Sequence, residues 1–152
     1  YNFDLNKFCR KVFAYSDACL KANDLVFWLD ADARLLEPIT EDFLAGLLRG
    51  SYCGVLARKG FHIESGIVGV DSSLPINGRF MRRYRELYTS GQVLQLKGWH
   101  DCWAFMCVLH ELKPPCANWS PLAESHANAV ALSPWVHKAQ HLKGIKKYNE
   151  ST

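Results

Sequence analysis

The chain has 152 residues, 49% of them hydrophobic and 22% charged, a globular composition that excludes a disordered or fibrous chain and suits one domain with a sizeable core. Lys plus Arg exceed Asp plus Glu by 18 − 15 = 3, a mild balance that fits anionic small ligands and does not call for a nucleic-acid groove. No apolar run reaches membrane-spanning length and no leader pattern follows Tyr1.

Residues 6–22 read as a helix, because Phe8, Val12, Tyr15, Ala18 and Cys19 recur at three- and four-residue spacing. Lys7, Arg10, Lys11 and Lys21 fall largely on another face, read as solvated; Lys11 is also the candidate for reaching a phosphate near the strand ends. Asn23-Asp24 turns the chain into Leu25–Leu29, five apolar residues that fit a strand buried on both faces, as in a parallel sheet flanked by helices. The run stops at Asp30 and Asp32, at the strand end where α/β sheets bind ligands. A strand period of two would put both carboxylates on one side and Ala31 on the other. Carboxylates so close repel unless a cation lies between them, which suits Mn²⁺ or Mg²⁺ with phosphate oxygens and waters. The same pair also reads as a cap for the next helix or as a solvated turn.

Beyond Asp32, residues 34–38 form an extended link set by Pro38. Thr40 caps a helix over 40–48 with Glu41 and Asp42 in its first turn, and Gly50 ends it. Residues 52–57 and 67–70 read as buried strands, and Gly66 at the entry to the second marks a close approach by backbone or ligand. Asn77 is expected to cap a helix over 78–88 whose arginines, Arg79, Arg82, Arg83 and Arg85, face solvent. A helix over 102–112 should bury Trp103, Phe105 and Met106, with Asp101 as its N-cap or as a catalytic residue. Residues 116–134 read as loop-rich, and the tail gathers His137, His141 and four lysines around Gly144. The six cysteines lack C-x-x-C and zinc-finger spacing; their apolar neighbours suggest reduced, buried thiols and a cytoplasmic setting.

With Phe27-Trp-Leu-Asp-Ala-Asp32 near one end and His141-Leu-Lys-Gly-Ile-Lys-Lys147 near the other, the chain resembles nucleotide-sugar glycosyltransferases of the GT-A fold, in particular bacterial and viral members akin to glycosyltransferase family 8. The first segment matches their strand-D-x-D and the second their H-x-x-G-x-x-K motif. Between them, Glu64-Ser-Gly66 is similar to the segment that faces donor and acceptor, and Trp99-His-Asp101 to the acidic element beside the acceptor pocket. The resemblance implies an α/β domain of GT-A type over residues 1–152, with a mixed, mainly parallel sheet flanked by helices. It implies, too, that the N-terminal, base-binding part of the fold is missing here, supplied by another segment or subunit, or lost together with catalysis.

The resemblance further implies a donor site for a nucleoside-diphosphate sugar and a carbohydrate or glycoconjugate acceptor. Asp30, Asp32 and His141 would hold Mn²⁺ or Mg²⁺, with His137 as an alternative ligand one helical turn earlier. Gly144 would let the backbone approach the diphosphate, and Lys147 would neutralise charge on the leaving group. Asp101 would act as general base towards the acceptor or as its hydrogen-bond partner, Trp99 would stack on a sugar, and His62 and Glu64 are further acceptor-site candidates. Two rival readings follow from the same residues. One is a degenerate, non-catalytic domain that binds a sugar, a nucleotide or a partner protein; the other is a haloacid-dehalogenase-like, Mg²⁺-dependent phosphatase, which also places D-x-D after an apolar strand but has no use for the 141–147 motif.

Overall fold

The computed structural model describes residues 4–124 and 128–141. In chain order its elements are α1 (Leu5–Lys21), β1 (Leu25–Leu29), β2 (Ala33–Leu35), α2 (Glu41–Leu48), β3 (Cys53–Leu56), β4 (Glu64–Asp71), α3 (Ile76–Thr89), a 3-10 turn (Gln92–Gln95), α4 (Asp101–Leu112), β5 (Cys116–Asn118) and β6 (Ala139–His141). Four strands make one sheet in the order β1-β4-β3-β5, and β2 pairs with β6 separately. Among the described residues no helix is long and apolar enough to cross a membrane.

The fold is α/β, but the expected mainly parallel sheet is corrected. Among the described residues only β3 and β5 run parallel, whereas β1 with β4, β3 with β4, and β2 with β6 are all antiparallel. The apolar run of β1, an edge strand whose five residues are all half-buried, reflects packing on two faces, and that packing does not depend on strand direction. On one face Val26, Trp28, Val68, Val70, Cys53 and Val55 pack with α1, α3 and α4 around Val12, Phe80, Tyr84 and Phe105. On the other, Leu25, Phe27, Ile67 and Leu56 pack with α2 and with Trp119 and Trp135. Side chains thus alternate between two covered faces, so a covered antiparallel sheet carries the sequence pattern of a parallel one. Gly54 belongs to this arrangement, since a Cβ there would overlap the Trp119 ring.

Helix ends follow local chemistry in two cases and tertiary demand in two others. Thr40 Oγ1 accepts from Phe43 N at 3.2 Å, as its capping role requires, and Gly50 leaves α2 with φ +75°. Asn77, in contrast, is no cap: it lies inside α3, where its Nδ2 donates to the Cys19 carbonyl at 2.8 Å and its Oδ1 accepts from Tyr52 Oη at 3.3 Å. A buried amide needs such partners, and here it ties α3 to the end of α1 and to β3. Asp101 is not the N-cap of α4 either; His100 holds that position, and the Asp101 carboxylate is turned towards α1.

Candidate functional site

The strand alternation that carries Val26 and Trp28 onto the α1 face places Asp30 there as well. Its backbone N–H donates to Gly66 O at 2.9 Å, extending the β1–β4 ladder by one residue. The ladder then ends in a turn closed by Ala33 N donating to Asp30 O at 2.8 Å. Asp32 therefore sits in the turn, so the expectation that a strand pleat aligns both carboxylates is corrected.

Lys11, expected on a solvated helix face, is instead mostly buried and organises this end of the sheet. Its ammonium lies 2.8 Å from Asp30 Oδ1 and 3.0 Å from Asp101 Oδ2, and donates to the Ser65 carbonyl at 2.5 Å. The side chains retain 13% (Lys11), 17% (Asp30) and 8% (Asp101) of their exposure. Trp28 Nε1 donates to the same Asp30 oxygen at 2.8 Å, and the Lys11 ammonium lies 5.4 Å from the centroid of the Trp28 ring. Asp30 is thereby oriented by a cation and an indole N–H. Asp101 Oδ2 is buried without a hydrogen-bond partner among the described residues, with Lys11 as its charge partner. Tyr88 Oη donates to Trp99 O at 2.8 Å and Tyr84 Oη to Asp101 O at 3.2 Å, so α3 fixes the backbone that presents Trp99, His100 and Asp101.

The β2–β6 pair brings the two ends of the chain together. Its register sets Ala33 opposite residue 141, Arg34 opposite Gln140 and Leu35 opposite Ala139. The backbone of residue 141 is thus one position removed from that of Asp32. Lys138 reinforces the junction through its 2.6 Å ion pair with Glu37. His137 is exposed in the turn before β6, not in a helix, so the one-turn relation to residue 141 is corrected. Gly144 and Lys147 lie outside the described residues.

A second polar group lies on the other side of Asp101. One ligand atom from each of His62, His100 and Cys102 lies within 4.8 Å of the other two. His62 Nδ1 is 2.8 Å from Ile63 O and 3.2 Å from Arg58 Nη2. Burial, with the charge of Arg58 adding to it, moves the His62 imidazole below its ordinary pKa despite the Ile63 hydrogen bond. Burial first, then the carboxylates of Asp101 and Glu64, push the Cys102 thiol up to about 12. Glu64 Oε1 accepts from Gly66 N at 3.3 Å and Oε2 lies 3.9 Å from Arg58 Nη2, joining this group to the Gly66 corner of the sheet.

Beside His62 and His100 opens a cavity of about 810 Å³, lined also by Arg58, Lys97, Trp103 and Cys116. Asp30 and Asp101 are not among its lining residues. The sequence-based candidates therefore divide. Lys11, Asp30 and Asp101 converge, Asp32 and the backbone of residue 141 are neighbours, and His62 and Glu64 belong to the second group. Sequence reasoning missed Cys102 and the ligand capacity of His100, though a His and a Cys two apart at a helix start, in Trp99-His-Asp-Cys102, could have shown them. No family model, no curated protein and no solved structure matches the chain.

Proposed function

We propose that the chain is a metal-dependent glycosyltransferase domain of GT-A type that moves a sugar from a nucleoside-diphosphate donor to an acceptor hydroxyl. The observation that carries this reading is the β2–β6 register, which sets residue 141 beside the D-x-D turn although the two motifs lie at opposite ends of the chain. A shared donor site requires that proximity, and nothing local in either motif would produce it.

Asp30, Asp32 and His141 are the residues that would hold a divalent ion. Asp30 has one oxygen committed to Lys11 and Trp28 and is held rigid, Asp32 is half-buried at the turn, and His141 would add an imidazole to an oxygen-rich set that Mn²⁺ tolerates. When bound, the ion would supply charge stabilisation to the leaving diphosphate. The chain's own residues do the remainder. Lys11 neutralises the two carboxylates nearest the reaction centre and holds them apart, while Trp28 fixes Asp30 from the sheet side. Asp101, presented by α3 and α4, orients the acceptor hydroxyl or takes its proton.

Calorimetric titration of UDP and GDP with and without Mn²⁺ tests the proposal, repeated on Asp32→Ala and His141→Ala. Binding that requires Mn²⁺ and weakens at least about tenfold in each variant is the expected result. No binding to the wild-type chain, or binding indifferent to both substitutions, would overturn it.

A further inference from the structure

We propose that His62, His100 and Cys102 form a binding site for a thiophilic divalent cation, Zn²⁺ in kind, at the wall of the large cavity and separate from the D-x-D turn. The inference does not rest on the glycosyltransferase reading.

Three observations carry it. The ligand atoms are already gathered within 4.8 Å, and they come from two different segments: the loop entering β4, and the start of α4. Zinc–nitrogen and zinc–sulfur bonds of roughly 2.0–2.3 Å give tetrahedron edges of about 3.3–3.6 Å, so side-chain rotation of about 1 Å closes the set. His100 Nε2 is buried and has no hydrogen-bond partner among the described residues, which is costly for an imidazole nitrogen unless something else takes its lone pair. Finally, of the two groups at His62 Nδ1, the Ile63 carbonyl at 2.8 Å is nearer than Arg58 Nη2 at 3.2 Å and can only accept, which favours the tautomer with the proton on Nδ1 and the lone pair on Nε2. A backbone carbonyl holding the distal nitrogen of a metal-bound histidine is the usual way such a ring is oriented.

The donor set selects the metal. Two imidazoles and a thiolate favour a borderline-soft ion such as Zn²⁺ over Mg²⁺ or Mn²⁺, which prefer oxygen. Three protein ligands leave a fourth position, and His62 and His100 both line the cavity, so that position opens towards a space large enough for a small ligand. On binding, the Cys102 S–H bond breaks, its proton passes to solvent and its electron pair forms the sulfur–metal bond.

Cobalt(II) is the spectroscopic probe, added alone to the full chain after treatment with a chelator and a reductant. The expected result is one equivalent of Co²⁺ giving a thiolate-to-cobalt charge-transfer band and the intense visible bands of a tetrahedral ion, both displaced by Zn²⁺. Cys102→Ser should abolish the charge-transfer band, and His62→Gln and His100→Gln should each weaken Co²⁺ binding at least about tenfold. Cys107→Ser should leave the spectrum unchanged. Circular dichroism of each variant confirms that it is folded before its spectrum is compared. A folded wild-type chain with no charge-transfer band, or a band that persists in folded Cys102→Ser, would overturn the proposal. An oxygen-ligated ion at Asp30 and Asp32 cannot imitate the result, since it has no sulfur to supply the band.

Discussion

Replacing Lys11 with Met keeps most of the aliphatic stem and removes the ammonium that separates Asp30 from Asp101. Two carboxylates then face each other with 17% and 8% of their side-chain surface exposed, and the Ser65 carbonyl loses its donor. Breaking a buried pair by deleting one partner costs about 3–5 kcal/mol; the residual exposure places this case at about 3 kcal/mol. With a urea m-value of about 2 kcal/mol/M for a domain of this size, the unfolding midpoint should fall by about 1.5 M. Asp101→Asn alone should cost about 1–2 kcal/mol, because the amide oxygen keeps a partial negative charge beside the ammonium. The double variant Lys11→Met/Asp101→Asn should then cost less than the sum by at least about 1 kcal/mol, since the second change removes a charge that the first left without its partner. Urea unfolding followed by circular dichroism measures all four proteins. A Lys11→Met cost below about 1 kcal/mol, or additivity within about 0.5 kcal/mol, would refute the view that this lysine neutralises the two acids.

The remaining predictions concern titratable groups on the cavity side. A hydrogen bond from Cys53, its partner in the parallel β3–β5 register, lowers the Cys116 thiol below its ordinary pKa, and Cys116 is also exposed. Iodoacetamide at pH 7 should therefore alkylate Cys116 before the other five cysteines, and Cys53→Ala should slow the reaction; faster labelling in Cys53→Ala, read by peptide mass spectrometry, would contradict the assignment. His62 makes stability depend on pH. Its folded pKa lies below the ordinary value of about 6.5, so on acidification the unfolded chain takes up its proton first. Stability attributable to this group is present above about pH 6.5 and is lost as pH falls through the depressed folded value. In metal-free protein, His62→Gln should flatten the decline of the urea midpoint between about pH 7 and pH 5; an unchanged slope would remove His62 as its source.

The elements with a repeating local pattern were legible in the sequence. The spacing of Phe8, Val12, Tyr15 and Cys19 marks α1 to within a residue at each end, and Thr40 marks the start of α2 because its cap hydrogen bond spans only three residues. What escaped depends on partners far along the chain. Each of β2, β5 and β6 is three residues long, too short for any period, and exists through its register with a distant strand. Lys11 looks like any cation on an amphipathic helix until the fold sets Asp30 and Asp101 at its tip. Asn77 satisfies every local criterion for a cap, yet its amide is spent on Cys19 and Tyr52 because a buried position close to both requires it. The site divides in the same way: D-x-D is a local signal at a strand end, whereas the grouping of His62 with His100 and Cys102 is purely tertiary.

The start of α4 links the two polar groups. Asp101 and Cys102 are adjacent residues of one helical turn, and their side chains serve different neighbours: Asp101 the Lys11 ammonium, Cys102 the His62 and His100 rings. The backbone beneath them is held from α3 by Tyr84 and Tyr88, both buried and both spending their hydroxyls on carbonyls of residues 99–101. The turn therefore has little freedom to adjust for one side chain without moving the other. Contraction of the histidine–cysteine group around an ion would draw on the same turn that sets the distance from Asp101 to Lys11. Because Lys11 also fixes Asp30, that distance reaches the D-x-D turn through two short contacts, 3.0 Å and 2.8 Å. Between the two proposed sites, the contacts thus run through one helical turn and one lysine, and Lys11→Met would remove that lysine without replacing any candidate metal ligand.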